Sequence, residues 1–130
     1  VMASIIQGEA VHADEMPIIS SVYHNRLKNN MLLQADPTIQ YIIPGKPRRL
    51  YNNDLDVDSP YNTYKYKGLP PGPINNPGLQ AMKAAIMPAE TDYLYFVSNG
   101  EGRHIFTRNN EDHNQAKLEL KRKRRLKRKM

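Results

Sequence analysis

At 130 residues with 39% hydrophobic content, the chain is one domain with enough apolar mass to form a core. It contains no cysteine, which excludes a disulfide framework and a thiol nucleophile. No apolar run approaches the roughly 20 residues a bilayer span requires. The net charge of +6 is concentrated at one end: residues 121–130 hold eight basic residues and no acidic one, and without them 11 basic residues face 13 acidic ones, a net of −2.

The first stretch places Met2, Ile5, Ile6 and Glu9 on one helical face, in a helix expected to end near His12 or Ala13. A carboxylate on a buried face loses hydration. That disfavours its charged form and suits a general acid. The alternatives are a core Glu paired with an Arg, and a Glu turned to solvent at a frayed helix end. The chain begins at Val1 inside this periodic helix, without a signal peptide, and reads as a segment of a longer protein.

Asp14 is the expected cap of a second helix, with Pro17 in its first turn and Glu15 near its positive end. Ile18, Ile19, Val22, Tyr23 and Leu27 carry that helix to about Asn29. Asn25 leans toward the same side, where it either satisfies backbone groups or faces a polar ligand. Residues 32–35 read as extended, and Asp36-Pro37-Thr38 opens a turn or short helix ended by Pro44-Gly45 and Pro47. Asp54-Leu55 can start a single helical turn. Tyr61–Tyr66 alternates aromatic and polar residues, as a strand does, and the Pro-rich loop 68–73 follows. Pro77 starts a helix through Leu79, Met82, Ala85 and Ile86. Tyr93–Val97 is the clearest strand, Asn99-Gly100 a turn, and residues 104–107 the returning strand of a hairpin. Asn110 or Asp112 caps a last helix that runs through Ala116, Leu118 and Leu120 into the basic end. That end is either a solvated tail or a contact for a polyanion: nucleic acid, anionic lipid or an acidic wall polymer.

Several chemistries lack their signatures. Glu9 and His12 have E-x-x-H spacing, but a carboxylate-bridged metal site needs a second such pair and further Glu residues. His104 and His113 do not make a zinc pattern, and the Asp residues at 54–58 lack the Gly and Glu of a calcium loop. There is no Gly-x-Ser-x-Gly elbow and no Gly-rich phosphate loop. One privileged carboxylate remains, with loops rich in Asn, Gln, Tyr and Pro, a composition suited to a carbohydrate. A glycosidase normally uses two carboxylates. A single Glu suffices if it protonates the leaving oxygen and then deprotonates a hydroxyl of the substrate itself.

Nine blocks in order carry a resemblance: Ala3-Ser4-Ile5-Ile6-x-x-Glu9, Asn25-Arg26-Leu27, Leu33-Gln34-x-Asp36-Pro37-Thr38, Tyr61-Asn62-Thr63-Tyr64, Gly68-Leu69-Pro70-Pro71-Gly72-x-Ile74, Pro77-Gly78, Tyr93–Val97, His104-x-Phe106 and His113-Asn114. Together they resemble the catalytic domain of the MltG (YceG-like) endolytic murein transglycosylases. The resemblance implies an α+β, lysozyme-like catalytic domain over residues 1–118, and the basic tail over 119–130 lies outside it. It implies cleavage of peptidoglycan between N-acetylmuramic acid and N-acetylglucosamine without water, leaving 1,6-anhydro ends, and with no metal or cofactor. Glu9 matches the acid/base. Tyr61 and Asn62 are similar to a pair that holds the muramyl sugar in other lytic transglycosylases. Asn25, Gln34, Asp36, Thr38, Thr63, His104 and Phe106 complete the expected substrate-binding set. His113-Asn114 is expected to tie the last helix to the hairpin.

The implied setting is the outer side of the cytoplasmic membrane, with an amino-terminal anchor upstream. The implied partners are glycan strands and cell-wall synthesis proteins; the tail, read from its charge alone, is expected to meet an anionic surface and no nucleic acid. One departure stands out: Gln7-Gly8 replaces the family's usual Glu-Lys. It motivates an alternative, a wall-binding module without catalysis. Lysozyme-like hydrolysis is the other.

Overall fold

Apolar residues at helical spacing draw three helices around one core in the computed structural model, which describes residues 1–129. Helix α1 (Met2–Glu9), α2 (Met16–Lys28) and α4 (Leu79–Ile86) supply Ile5, Ile6, Ile19, Tyr23, Ala81 and Ala84 to that core, and the extended segment before α3 (Asp36–Ile42) adds Leu33 and Ala35. Small alanines on α4 let it lie closely against α1. A two-stranded antiparallel sheet, β1 (Tyr95–Ser98) and β2 (His104–Thr107), and a long helix α5 (Asn110–Lys129) complete an α+β architecture. Single 3₁₀ turns lie at Ala13–Glu15 and Asn52–Asp56. Among the described residues, no helix is long and apolar enough to cross a membrane.

The hairpin pairs Phe96 with Phe106 and Ser98 with His104. Gly100 and Gly102 take positive φ in its turn, where the Asn99 side-chain oxygen accepts the N–H groups of Glu101 and Arg103. Residues two apart on a strand share a face, so His104 comes inward with Phe106, and both rings meet Phe96.

Four local expectations are corrected. Helix α1 stops at Glu9, because Ala10 turns to extended backbone and residues 13–15 form the 3₁₀ turn. Asp14 does not cap α2, since its carboxylate is engaged by Arg103 at 2.9 Å. The cap of α5 is Asn109, whose side-chain oxygen accepts the Asp112 N–H at 2.8 Å. Finally, Tyr61–Tyr66 is a series of turns rather than a strand. The Asn62 amide donates to the carbonyls of Leu55 and Val57, and its oxygen accepts the Tyr64 N–H. Such local side-chain bonds compete with a strand ladder.

Candidate active site

Glu9 ends α1, and its side chain turns from the core toward an open groove. Behind it stands His104. Its Nε2 lies 3.0 Å from Glu9 Oε1, and its Nδ1 lies 2.9 Å from Glu15 Oε1. Glu15 Oε2 also accepts the backbone N–H of His104 at 3.0 Å. The row is least exposed at its middle, with the side chain of Glu15 8% exposed, His104 5% and Glu9 18%. Three separate elements therefore supply one line of hydrogen bonds: the end of α1, the 3₁₀ turn before α2, and the start of β2.

The electrostatics of the row follow from this geometry. Burial alone would lower the pKa of His104, but hydrogen bonds and charges from Glu9 and Glu15 outweigh it and raise the pKa above the ordinary imidazole value. Across this contact a protonated Nε2 donates to Oε1 of Glu9. With the proton on nitrogen, an imidazolium lies between two carboxylates.

The expectation of an apolar seat for Glu9 is thus corrected. Met2, Ile5 and Ile6 are buried, but Glu9 is the last residue of the helix and its partner is an imidazole. Among the described residues no arginine pairs with it.

The groove beside Glu9 has a volume of about 460 Å³ and is lined by Gly8, Glu9, Asp36, Pro37, Gln40, Tyr41, Pro47, Ile74 and Asn75. Asp36 brings a second carboxylate into it and accepts a hydrogen bond from the Tyr64 hydroxyl. Loss of hydration between the walls raises the pKa of Asp36. The Tyr64 bond opposes that shift, and the charge of Glu9 adds to it. Burial and the Asp36 charge in turn raise the pKa of Tyr64. Tyr41, 51% exposed, packs tilted against Tyr61 at 5.0 Å between ring centres and lines the groove.

The remaining members of the expected binding set lie elsewhere. Thr38, Asn62 and Thr63 are fully buried and do not line the groove. The Thr63 hydroxyl bonds that of Thr38 at 2.9 Å and accepts the Ala35 N–H at 2.9 Å. These three residues hold the loop that carries Asp36. Gln34 is exposed, with φ +49°, and is tied by its N–H to the Thr63 carbonyl. Phe106 packs in the hairpin against Tyr93 and Phe96.

Asn25 borders a separate, larger hollow of about 830 Å³ between α2 and residues 88–93. Its amide donates to the carbonyls of Thr91 and Tyr93, which decides the choice between backbone and ligand in favour of backbone. The His113 ring stacks on Tyr95 at 4.9 Å, tying α5 to the hairpin as expected.

Two groups of the site escaped sequence reasoning. Glu15 reads as a helix-end charge until the fold brings His104 to it across 89 positions. Tyr64 reads as a strand residue until the turn aims its hydroxyl at Asp36. Gln7 and Gly8, where the chain departs from the family pattern, both make close contacts in the fold. Gln7 Oε1 accepts the Gly78 N–H at 2.9 Å, closing the start of α4. Gly8 lies so near Pro37 that an added Cβ would stand 2.7 Å from the proline Cβ.

Comparison with known proteins agrees with the resemblance. The YceG-like family profile matches residues 1–119. The chain is 47% identical over 116 residues to the endolytic murein transglycosylase of Bacillus subtilis (strain 168), covering 89% of this chain and 32% of that protein. It is 36% identical over 118 residues to the endolytic murein transglycosylase of Streptococcus pneumoniae serotype 2 (strain D39), covering 86% and 21%. A solved yceG-like protein from Listeria monocytogenes superposes with a TM-score of 0.81 at 46% identity, covering 88% of this chain and 36% of that one. The chain spans about a third or less of the curated relatives it matches.

Proposed function

The chain belongs to the YceG-like family, and from that membership and the Glu9 groove we propose that it is a lytic transglycosylase of peptidoglycan. It cuts the glycan strand between N-acetylmuramic acid and N-acetylglucosamine and leaves 1,6-anhydro-muramyl ends. The observation that carries this reading is a partly open carboxylate, Glu9, beside a groove whose walls offer amides, a second carboxylate and the Tyr41 ring.

Glu9 acts first as an acid, donating its proton to the glycosidic oxygen as the bond to the muramyl C1 breaks. Positive charge develops on the ring, and the substrate N-acetyl group and the Asp36 carboxylate steady it. While Glu9 is protonated, its charge no longer opposes that of Asp36. The muramyl C6 hydroxyl then closes on C1, and anionic Glu9 takes its proton. The enzyme returns to its starting state and no water is consumed. The Gln7 bond to Gly78 supports a cycle in which position 7 carries no proton. We place this activity on the outer side of the cytoplasmic membrane, with the membrane anchor that the family resemblance implies.

Glu9→Gln keeps the size of the side chain and removes its proton. We expect no detectable cleavage of purified glycan strands, with an unchanged circular dichroism spectrum. Mass spectrometry of wild-type digests should show anhydro ends. Reducing ends, heavier by one water, would mean lysozyme-like hydrolysis instead, and intact strands that still bind would mean a binding module.

A further inference from the structure

We infer that Glu15 is a positioning residue of the cleavage reaction: it orients His104 so that Nε2–H pairs with the Glu9 carboxylate formed when the leaving oxygen is protonated. The inference rests on the reading of Glu9 as the acid/base.

The geometry carries it. Glu15 grips His104 twice, at the backbone N–H and at Nδ1, which fixes both the place and the plane of the imidazole. A carboxylate needs donors, so Nδ1 keeps its proton toward Glu15, and the variable proton belongs to Nε2. Nε2 meets Oε1 of Glu9 and leaves Oε2 to face the sugar. Phe96 stands edge-on to the ring at 5.2 Å, and Phe106 packs at 6.1 Å, so the contacts run between low-dielectric walls that strengthen them. Glu15 does not line the groove, so it acts on substrate only through His104.

The proton balance is closed. Oε2 of Glu9 gives its proton to the glycosidic oxygen and the C1–O bond breaks. The resulting carboxylate is met by the Nε2–H of His104, whose charge is in turn balanced by Glu15. O6 then bonds to C1 and its proton returns to Oε2. His104 and Glu15 end as they began.

The ionisable groups around His104 and Glu9 are few. Glu9 comes from α1, Glu15 from the 3₁₀ turn, and Asp36 from the groove wall with its Tyr64 partner. Buried Tyr23 feels the charge of Glu9 from α2, and the Arg103–Asp14 pair lies at the rim. Glu15 and Glu9 both favour charged His104. Neutralising Glu15 therefore makes His104 release its Nε2 proton at lower pH.

Glu15→Gln in the otherwise intact protein is the test. We expect kcat to fall at least about 10- to 100-fold, the scale found when the carboxylate behind a metal-bound histidine is lost, with KM within about twofold because the groove is untouched. The alkaline limb of the pH–rate profile should move down by about one unit. A merely structural role would lower the rate equally at every pH and leave that limb in place, and unchanged kinetics would equally overturn the inference.

A second measurement needs no variant. Imidazole ¹⁵N spectra of the wild-type protein should show His104 Nδ1 protonated throughout its titration, with the proton leaving from Nε2. Loss from Nδ1 first would refute the assigned role. If the spectra behave as expected but digests contain no anhydro ends, the cleavage reading fails while the Glu15–His104 arrangement stands.

Discussion

Gly8 is where α1 meets α3, and two opposing effects decide what a side chain there would do. Alanine gains up to about 1 kcal/mol of helix propensity over glycine. Its Cβ would stand 2.7 Å from the Cβ of Pro37, an atom of a rigid ring at the start of α3 that cannot swing aside. Overpacking of this kind costs about 1–3 kcal/mol, so the clash wins. Gly8→Ala should lower stability in urea unfolding by about 1 kcal/mol, the middle of the difference between the two. Pro37 and Gly8 both line the groove, so KM should also rise as the wall moves. A more stable Gly8→Ala protein would show that the two helices separate without penalty. At this scale the sequence was informative about Glu9 and silent about its partner. Helical spacing singles out an acid beside Met2, Ile5 and Ile6, yet nothing local links it to a histidine 95 positions away.

At the scale of elements, periodicity and punctuation were legible wherever local forces decide the outcome. Helix α2 with Pro17 in its first turn, the helix stopped before Pro88, and the Asn-Gly turn between two strands are all of this kind. The Tyr61–Tyr66 segment was not legible, because alternation of aromatic and polar residues reports a strand only if the backbone groups are free to pair. Here the Asn62 amide takes two carbonyls and a backbone N–H. The resulting turn presents Thr63 to Ala35 and Thr38, and Tyr64 to Asp36. Asn62→Asp retains an acceptor for Tyr64 but has no N–H for Leu55 or Val57. It places a negative group against two carbonyls whose bonds to Asn62 are partly buried. Leaving such groups unpaired costs about 1–3 kcal/mol, and charge repulsion adds to this. Thermal unfolding should therefore fall by several degrees, and cleavage should weaken through loss of the support under Asp36. A variant as stable as the wild type would mean that this turn is held by its backbone alone.

Across the whole molecule, charge is divided along α5. Its first part rests on the hairpin, with Ala116 buried and Leu120 partly covered, whereas residues 121–129 are all exposed and lie beyond the family match at 119. Lys127, Arg128 and Lys129 favour the negative helix end. Against that, Lys121–Arg125, Lys123–Lys127, Arg124–Arg128 and Arg125–Lys129 are like-charged pairs four residues apart, each opposing the helix by a few tenths of a kcal/mol. The extension has no apolar stripe, since Leu126 is its one hydrophobic residue among the described positions. It therefore lacks the apolar face with which an amphipathic helix enters a bilayer. Its attraction to an anionic surface is instead electrostatic and limited to about a Debye length. Ending the chain after Leu120 should leave the melting temperature and glycan cleavage unchanged, because none of the described residues beyond it joins the core or lines the groove. The same truncation should abolish co-sedimentation with vesicles containing anionic lipid, and in the intact protein that binding should vanish between about 50 and 500 mM salt as screening shortens the range of the charges. Binding that survives high salt would require an apolar contact that the exposed turns of α5 do not offer.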